Sequence, residues 1–334
     1  MKRWRFGTGL RAAAAVVLLL LTTPVHGAAA GETIHYRLKW LYNASVVGDI
    51  YAASQGIFEA AGLDVDVKEG GPERDAIKEL ELGHAQFGVA SADQVIRALS
   101  KGSPVVVIAQ LFQVNPLQWI YRDTLPEIRK LSDLRGLTIG ITYGGNDEHI
   151  MRTLLAKAGI GEKDVHLFSV RYDYTPFYRR RVDLWPVYRN TQGVIISDKL
   201  RRAGEGLRFF NPADYGVAFV ANSVVTSAGM LEKSPQLVSR FLGALLAGWR
   251  QALDEKNRAR AIAVLQKFDP DTPVEILGKQ LDMTRPLVRP APSFAIGAID
   301  VSAWEQTERI MLAQHQIERP VDVVRAVKTG LVKR

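Results

Sequence analysis

From Thr33 onward, short β-branched runs alternate with stretches of helical period, and glycines stand at many of the joints. That alternation constrains the fold more than any other feature, because strands separated by crossover helices pair in parallel. Residues 33–40 alternate like a strand, and residues 45–61 read as a helix stopped by Gly62. Residues 63–68 (LDVDVK) are again strand-like, and Gly70-Gly71-Pro72 turns into a helix over 73–82. A short strand at 85–90 feeds a helix at 92–99, and 104–110 is a β-branched run suited to a buried strand. In such a sheet, ligands bind beyond the carboxyl ends of the strands.

A second block repeats the logic after a Pro-containing passage. Residues 117–122 are strand-like, and 136–141 (GLTIGI) lead into the turn Tyr143-Gly144-Gly145. A helix over 146–157 and a strand over 165–170 follow, and the chain returns to strand-like character at 217–225. Beyond Pro235 the pattern is helical, at 235–253, 258–267, 273–284 and 302–314. The expectation is an α/β chain of two lobes forming a hinged clamshell, each lobe a mixed, mainly parallel sheet flanked by helices, closed by a helical C-terminal tail. The chain crosses between the lobes near 113–116 and returns near 221–226. Residues 31–113 with 222–334 then form lobe 1, and 114–221 form lobe 2.

Lys2, Arg3, Arg5 and Arg11 precede an apolar run over 12–21 and small residues around Gly27 to Ala30, the pattern of a cleavable signal peptide over 1–30. The run is about half the length a bilayer span needs. There is no cysteine, which removes disulfides, thiolate metal sites and the acylated cysteine of a lipoprotein. The expected destination is therefore the periplasm, with no lipid anchor. Loss of those four basic residues leaves +4 of the formal net charge of +8. With Arg179-Arg180-Arg181 as the tightest basic cluster, nothing points to nucleic acid.

Four segments carry a family resemblance: KWLYNASVVGDIYAASQGIFEAAGLDVDV, LGHAQFGVASADQ, LRGLTIGITYGGNDEHIMRTLL, and DYGVAFVANSVV followed by SPQLVSRFLGALLAGW. In order and spacing the chain resembles the NMT1/THI5-like (SsuA/THI5-like) group of type II periplasmic binding proteins over nearly all of its length beyond residue 30. The resemblance implies a monomeric, non-enzymatic solute-binding subunit of an ABC importer, partnered by an inner-membrane permease and its ATPase, with no cofactor. It also implies a ligand held between the lobes by aromatics and helix amino-termini. Carried over by position, the candidates are Trp40 and Asn43, Gly70 and Gly71, Ser91 and Asp93, and Asn115 at the crossing. The facing lobe offers Tyr143, Gly144, Gly145, Asn146 and Glu148, with Trp185 and Tyr188. The expected solute is a small flat nitrogen heterocycle such as a thiamine-precursor aminopyrimidine. A sulfonate, a nitrate-like anion, a flavin or an aromatic carboxylate is the alternative.

The residue chemistry leaves two roles open at the glycine turn. Gly144 and Gly145 let a backbone approach a ligand, and the helix start offers unpaired amides. Asn146 or Asp147 can equally cap the helix, while Glu148 could accept from an amino-heterocycle. Trp40 could stack on a ring for roughly 0.5–1.5 kcal/mol beyond burial, or pack in a core. The same choice holds for Trp185, Tyr188, Tyr172 and Tyr174. Arg171, Arg179 or Arg181 in the cleft would favour an anion. The six His lack metal-ligand spacing, and no GxSxG or GxxxxGK[ST] motif occurs. The family's pyrimidine synthases use a pyridoxal-bound lysine, a histidine and a cysteine cluster. Those positions fall on Ala90, on Gln94 and on the cysteine-free stretch 215–225, none of which can do that chemistry.

Overall fold

The structure is a computed structural model that describes residue 1, residues 33–171 and residues 173–332. The signal-peptide expectation and the candidate Tyr172 lie outside the described residues.

Among the described residues, ten strands form three sheets. The strands are β1 (Ile34–Arg37), β2 (Val65–Lys68), β3 (Phe87–Ala90), β4 (Val105–Gln110), β5 (Leu117–Arg122), β6 (Thr138–Ile141), β7 (His166–Ser169), β8 (Trp185–Tyr188), β9 (Leu207–Phe210) and β10 (Ser223–Ser227). The largest sheet has the order β2-β1-β3-β10-β4. Its first three strands are parallel, with helices as their crossovers, while β10 runs antiparallel to β3 and β4. Every residue of β4 is buried, as its unbroken apolar run requires. The C-terminal segment helps cover that strand's outer edge, where the Lys328 N–H donates to the Val107 carbonyl at 2.9 Å. A second sheet, β8-β5-β9, is antiparallel, and β6 and β7 form a parallel pair. The fold is thus α/β with sheets of mixed orientation.

Packing against the large sheet centres on Phe241 of the Pro235–Ala252 helix, which stacks on Phe87 with centroids 3.7 Å apart and meets Tyr36 edge-on at 5.2 Å. The same helix lies against the Val47–Ser54 helix so closely that glycine is required on both sides. A Cβ at Gly48 would stand 2.1 Å from the Trp249 indole, and one at Gly248 would stand 2.5 Å from Ala52 Cβ. Trp119, Ile150, Leu154 and Trp304 belong to a second buried cluster, and Trp185, Phe177 and Ile196 to a third.

Three elements depart from expectation. The helix expected over 45–61 is a 3-10 turn (Ala44–Val46) followed by helices Val47–Ser54 and Ile57–Ala60. Gly56 takes φ +66° and turns the chain between the two helices. The strand expected over 217–225 is confined to Ser223–Ser227, because the Asn222 carbonyl accepts from both Leu111 and Phe112 N–H and turns the chain there. The third helix of the tail runs to Val288, past Pro286. Among the described residues, no helix is long and apolar enough to cross a membrane.

Candidate functional site

A cleft with a cavity volume of about 90 Å³, open to solvent, lies beyond the carboxyl ends of β1, β6 and β7, each of which is paired in parallel with a neighbour. Lys39, Trp40, Asn43 and Ser45 enter it from the passage after β1. Thr142, Asn146 and Asp147 come from the passage after β6, and Arg171 and Tyr174 from that after β7. Trp185, Val187, Tyr188, Gln192 and Asn222 complete most of the wall.

The turn that presents Trp40 is locked from below. The Gly70 N–H donates to the Trp40 carbonyl at 3.1 Å, and a Cβ on Gly70 would stand 1.9 Å from the Leu38 carbonyl oxygen. Gly70 therefore serves the cleft as a backbone support, the Gly71 carbonyl accepts the Arg74 N–H at 3.0 Å, and neither is among the lining residues. Asn43 lines the cleft while its Oδ1 accepts the Ser45 N–H at 2.8 Å, so it is lining and cap together. On the facing side Asn146 is buried, and its Nδ2 finds no partner among the described residues. A buried donor without an acceptor costs free energy unless something supplies one, and this residue lines the cleft.

Asp147 is the carboxylate of the cleft. It is 5% exposed, and its Oδ2 accepts the Thr142 N–H at 2.5 Å. Burial pushes its carboxyl up to about 6, against the pull of the Thr142 hydrogen bonds and of the Lys39 ammonium. Lys39 Nζ donates to the Tyr188 hydroxyl at 2.8 Å and stands 5.3 Å from that ring's centroid. The Tyr188 hydroxyl in turn donates to Asn222 Oδ1 at 3.1 Å. Trp185 is 1% exposed and is met edge-on by Tyr174, with centroids 5.8 Å apart, forming a fixed aromatic wall. Arg171 reaches the cleft but is ion-paired with Glu73, whereas Arg179 and Arg181 do not line it.

Five of the expected residues thus meet in one cleft: Trp40, Asn43, Asn146, Trp185 and Tyr188. The others stand elsewhere. Ser91 caps its helix with Gln94, and Asp93 is bonded to His149. Asn115 braces the crossing by donating to the Phe219 carbonyl and accepting the Leu117 N–H, each at 2.9 Å. Tyr143 is exposed, Gly144 turns at φ +79° and Gly145 caps the helix. Glu148 lies outside the cleft wall because it binds the Gly144 N–H at 2.7 Å and Arg152 Nε at 2.8 Å. Burial alone would raise its carboxyl, but those two partners hold it below its ordinary range. Lys39, Ser45, Gln192 and Asn222 escaped the residue-by-residue reading. Of these, Lys39 had a usable signal, an amine directly before Trp40 at a strand's carboxyl end. Among the described residues, no group of three or more His, Asp or Glu is placed to hold a metal.

The profile described as "NMT1/THI5 like" matches residues 43–259, more than half the chain. The chain belongs to this family. Its relatives include the formylaminopyrimidine-binding protein of Halalkalibacterium halodurans, 26% identical over 87% of this chain and 88% of that one. The riboflavin-binding protein RibY of Chloroflexus aurantiacus is 25% identical over 84% of this chain and 80% of that one. Among solved structures, the alkanesulfonate-binding protein SsuA from Xanthomonas axonopodis pv. citri, bound to MOPS, matches with TM-score 0.68, 17% identity and coverage of 90% and 99%. The desulfurization enzyme DSZB matches with TM-score 0.58, 15% identity and coverage of 90% and 97%. The fold is that of the periplasmic binding proteins, and it also hosts an enzyme.

Proposed function

We propose that this chain is the solute-binding subunit of an ABC importer and that its cleft takes a flat nitrogen heterocycle of the thiamine-precursor aminopyrimidine kind. It would deliver the solute, as an exported periplasmic monomer, to a permease and its ATPase. In this reading residues 31–113 with 222–334 and residues 114–221 are the lobes that close on the ligand. The observation that carries the ligand class is the pairing of Asn146 Nδ2, a buried donor without a partner, with the buried Asp147 carboxylate on one side of an aromatic-walled cleft. A ring bearing acceptor and amino groups side by side answers both. The formylaminopyrimidine-binding relative supports the same choice. The RibY relative favours a second reading, a flavin, whose ring also offers adjacent donors and acceptors. Binding without catalysis is supported by Ala90, which is buried in β3, and by Gln94, which caps the following helix with Ser91.

Thermal unfolding with a panel of formylated and hydroxymethyl aminopyrimidines, riboflavin and an alkanesulfonate tests the reading. A ligand at 100 times its dissociation constant stabilises by about 2.7 kcal/mol. Stabilisation by riboflavin or the sulfonate without any by the aminopyrimidines would overturn the ligand class, and measurable turnover of a bound solute would overturn the non-enzymatic role.

A further inference from the structure

The Asp93–His149 pair lies outside the cleft wall yet holds an element that supplies it. Asp93 sits in the first turn of the Ala92–Ser100 helix, which follows β3 of the large sheet, and His149 in the first turn of the Asn146–Lys157 helix, which follows β6. Their side chains are 0% and 3% exposed, with Nδ1 and Oδ2 at 2.5 Å. Asn146 and Asp147 precede His149 by three and two residues in that same helical turn. The His149 carbonyl accepts from Thr153 Oγ1 at 2.8 Å and from Gln316 Nε2 at 2.9 Å, so the C-terminal segment restrains this turn as well.

The charged neighbours come from several elements. On the same helix are Asp147, Glu148 and Arg152, and Arg97 and Lys101 approach from the Ala92–Ser100 helix and its end. Lys39 acts from the passage after β1, Glu162 from the turn after the Asn146–Lys157 helix, and His315 from the C-terminal segment. Glu148 and Glu162 are bonded to Arg152, and Asp147 lines the cleft with its Oδ2 on the Thr142 N–H, so Asp93 is the carboxylate that receives His149. Burial by itself would lift Asp93, but the His149 hydrogen bond and the charges of His149 and Lys39 hold it below the ordinary carboxylate range.

We infer that His149 and Asp93 are positioning residues for the cleft, fixing the helix that carries Asn146 and Asp147 against the large sheet and hence against Trp40. This rests on the proposed solute-binding role. A buried hydrogen bond to a carboxylate is short, directional and costly to break, because removing either partner strands the other in a dry site. Relief comes from parting the two helices and admitting water, which moves Asn146 and Asp147 away from the opposite wall. A smaller population of the closed arrangement weakens apparent affinity by the same factor.

Since the chain has no cysteine, spin labels can be placed at Glu59→Cys and Lys163→Cys, both exposed positions, and their distance distribution measured without ligand. Affinity for the aminopyrimidine and the melting temperature are recorded on the same variants. His149→Ala is expected to broaden the distribution and to raise the dissociation constant by about 10-fold, corresponding to a tenfold fall in the closed population. His149→Asn, whose Nδ2 can stand where Nδ1 stood, is expected to restore both. Ile150→Val, a buried change on the same helix, should lower the melting temperature without either effect. If His149→Ala behaves like Ile150→Val, or if His149→Asn fails to restore, the positioning role is wrong. Should His149→Ala not fold, Asp93→Ala, which removes the acceptor, is read against Ile150→Val in the same way, and a distribution and affinity like those of Ile150→Val would again sink the idea. If no panel solute binds the unaltered chain, the ligand reading falls while the label distances still decide the positioning role.

Discussion

Asp147→Asn should make the protein more stable and a poorer binder. The side chain keeps its shape and an oxygen for the Thr142 N–H, but it loses the charge that burial opposes. In the folded chain the carboxyl titrates near 6, against an ordinary 3.8. At neutral pH, ionised Asp147 therefore costs up to about 3 kcal/mol, from a separation of about two pH units at 1.36 kcal/mol each. The sign follows from a folded-state value raised above the unfolded one: folding favours the protonated form. Stability from this group is fully present below about pH 4 and is lost as pH rises through about 6. Chemical denaturation of both proteins from pH 4 to 8 checks this. The variant should be more stable by up to about 3 kcal/mol at pH 7, and the gap should close on acidification. Burial also lifts Asp49, which accepts from the Tyr36 hydroxyl, to about 7, but that contribution is common to both proteins and cancels in the difference. Calorimetric titration with the aminopyrimidine should show weaker binding by the variant. A variant less stable at pH 7, or a gap that does not change with pH, would refute the reasoning.

Lys39→Met removes the cation that restrains Asp147, so the carboxyl should titrate higher than in the unaltered protein, as read from its carbon-13 resonance; an unmoved midpoint would rule that coupling out. Glu148→Gln should leave aminopyrimidine affinity within about twofold, since its partners are Gly144 and Arg152; a loss of binding would return Glu148 to the cleft. Gly48→Ala should destabilise by about 1–3 kcal/mol, because its Cβ would meet the Trp249 indole, and thermal unfolding would show it.

How much of this molecule could be read from its sequence depended on how local the deciding contact was. The Asn146–Lys157 helix and strand β5 fall on their expected bounds, since a glycine turn opens one and strand-like character marks the other. The 45–61 segment kept its helical period but hid its break, because Gly48 sits within the first helix while Gly56 stands just past its end, and nothing local announces the left-handed φ at Gly56. For Trp40, Asn43, Asn146, Trp185 and Tyr188, the family resemblance pointed to residues that line the cleft. It did not suffice for Asp147 over Glu148. Neighbouring residues on a helix point about 100° apart, so the phase of the helix against the rest of the protein chooses between them. Lys39 reads as a solvated side chain until Tyr188, 149 residues away, comes within hydrogen-bond reach.

The same distinction explains why the cleft's polarity is built from distant partners. Asn190 donates to Ser45 at 3.0 Å and to Thr284 at 2.8 Å, joining the segment after β8 to the turn after β1 and to the helical tail. Lys39, Tyr188 and Asn222 form a second such link, and Asp93 with His149 a third. Each joins segments far apart in the sequence, and each is buried or half-buried, where an unmade bond is expensive. Under the proposed solute-binding role, a chain that opens for a solute and closes around it would not be held in one geometry by apolar packing alone, which is indifferent to register. Directional bonds make one closed geometry preferred while leaving polar groups that water can satisfy when the cleft opens. In the proposed reading, the three links together with the aromatic walls set the width of the slot that a flat ring would enter.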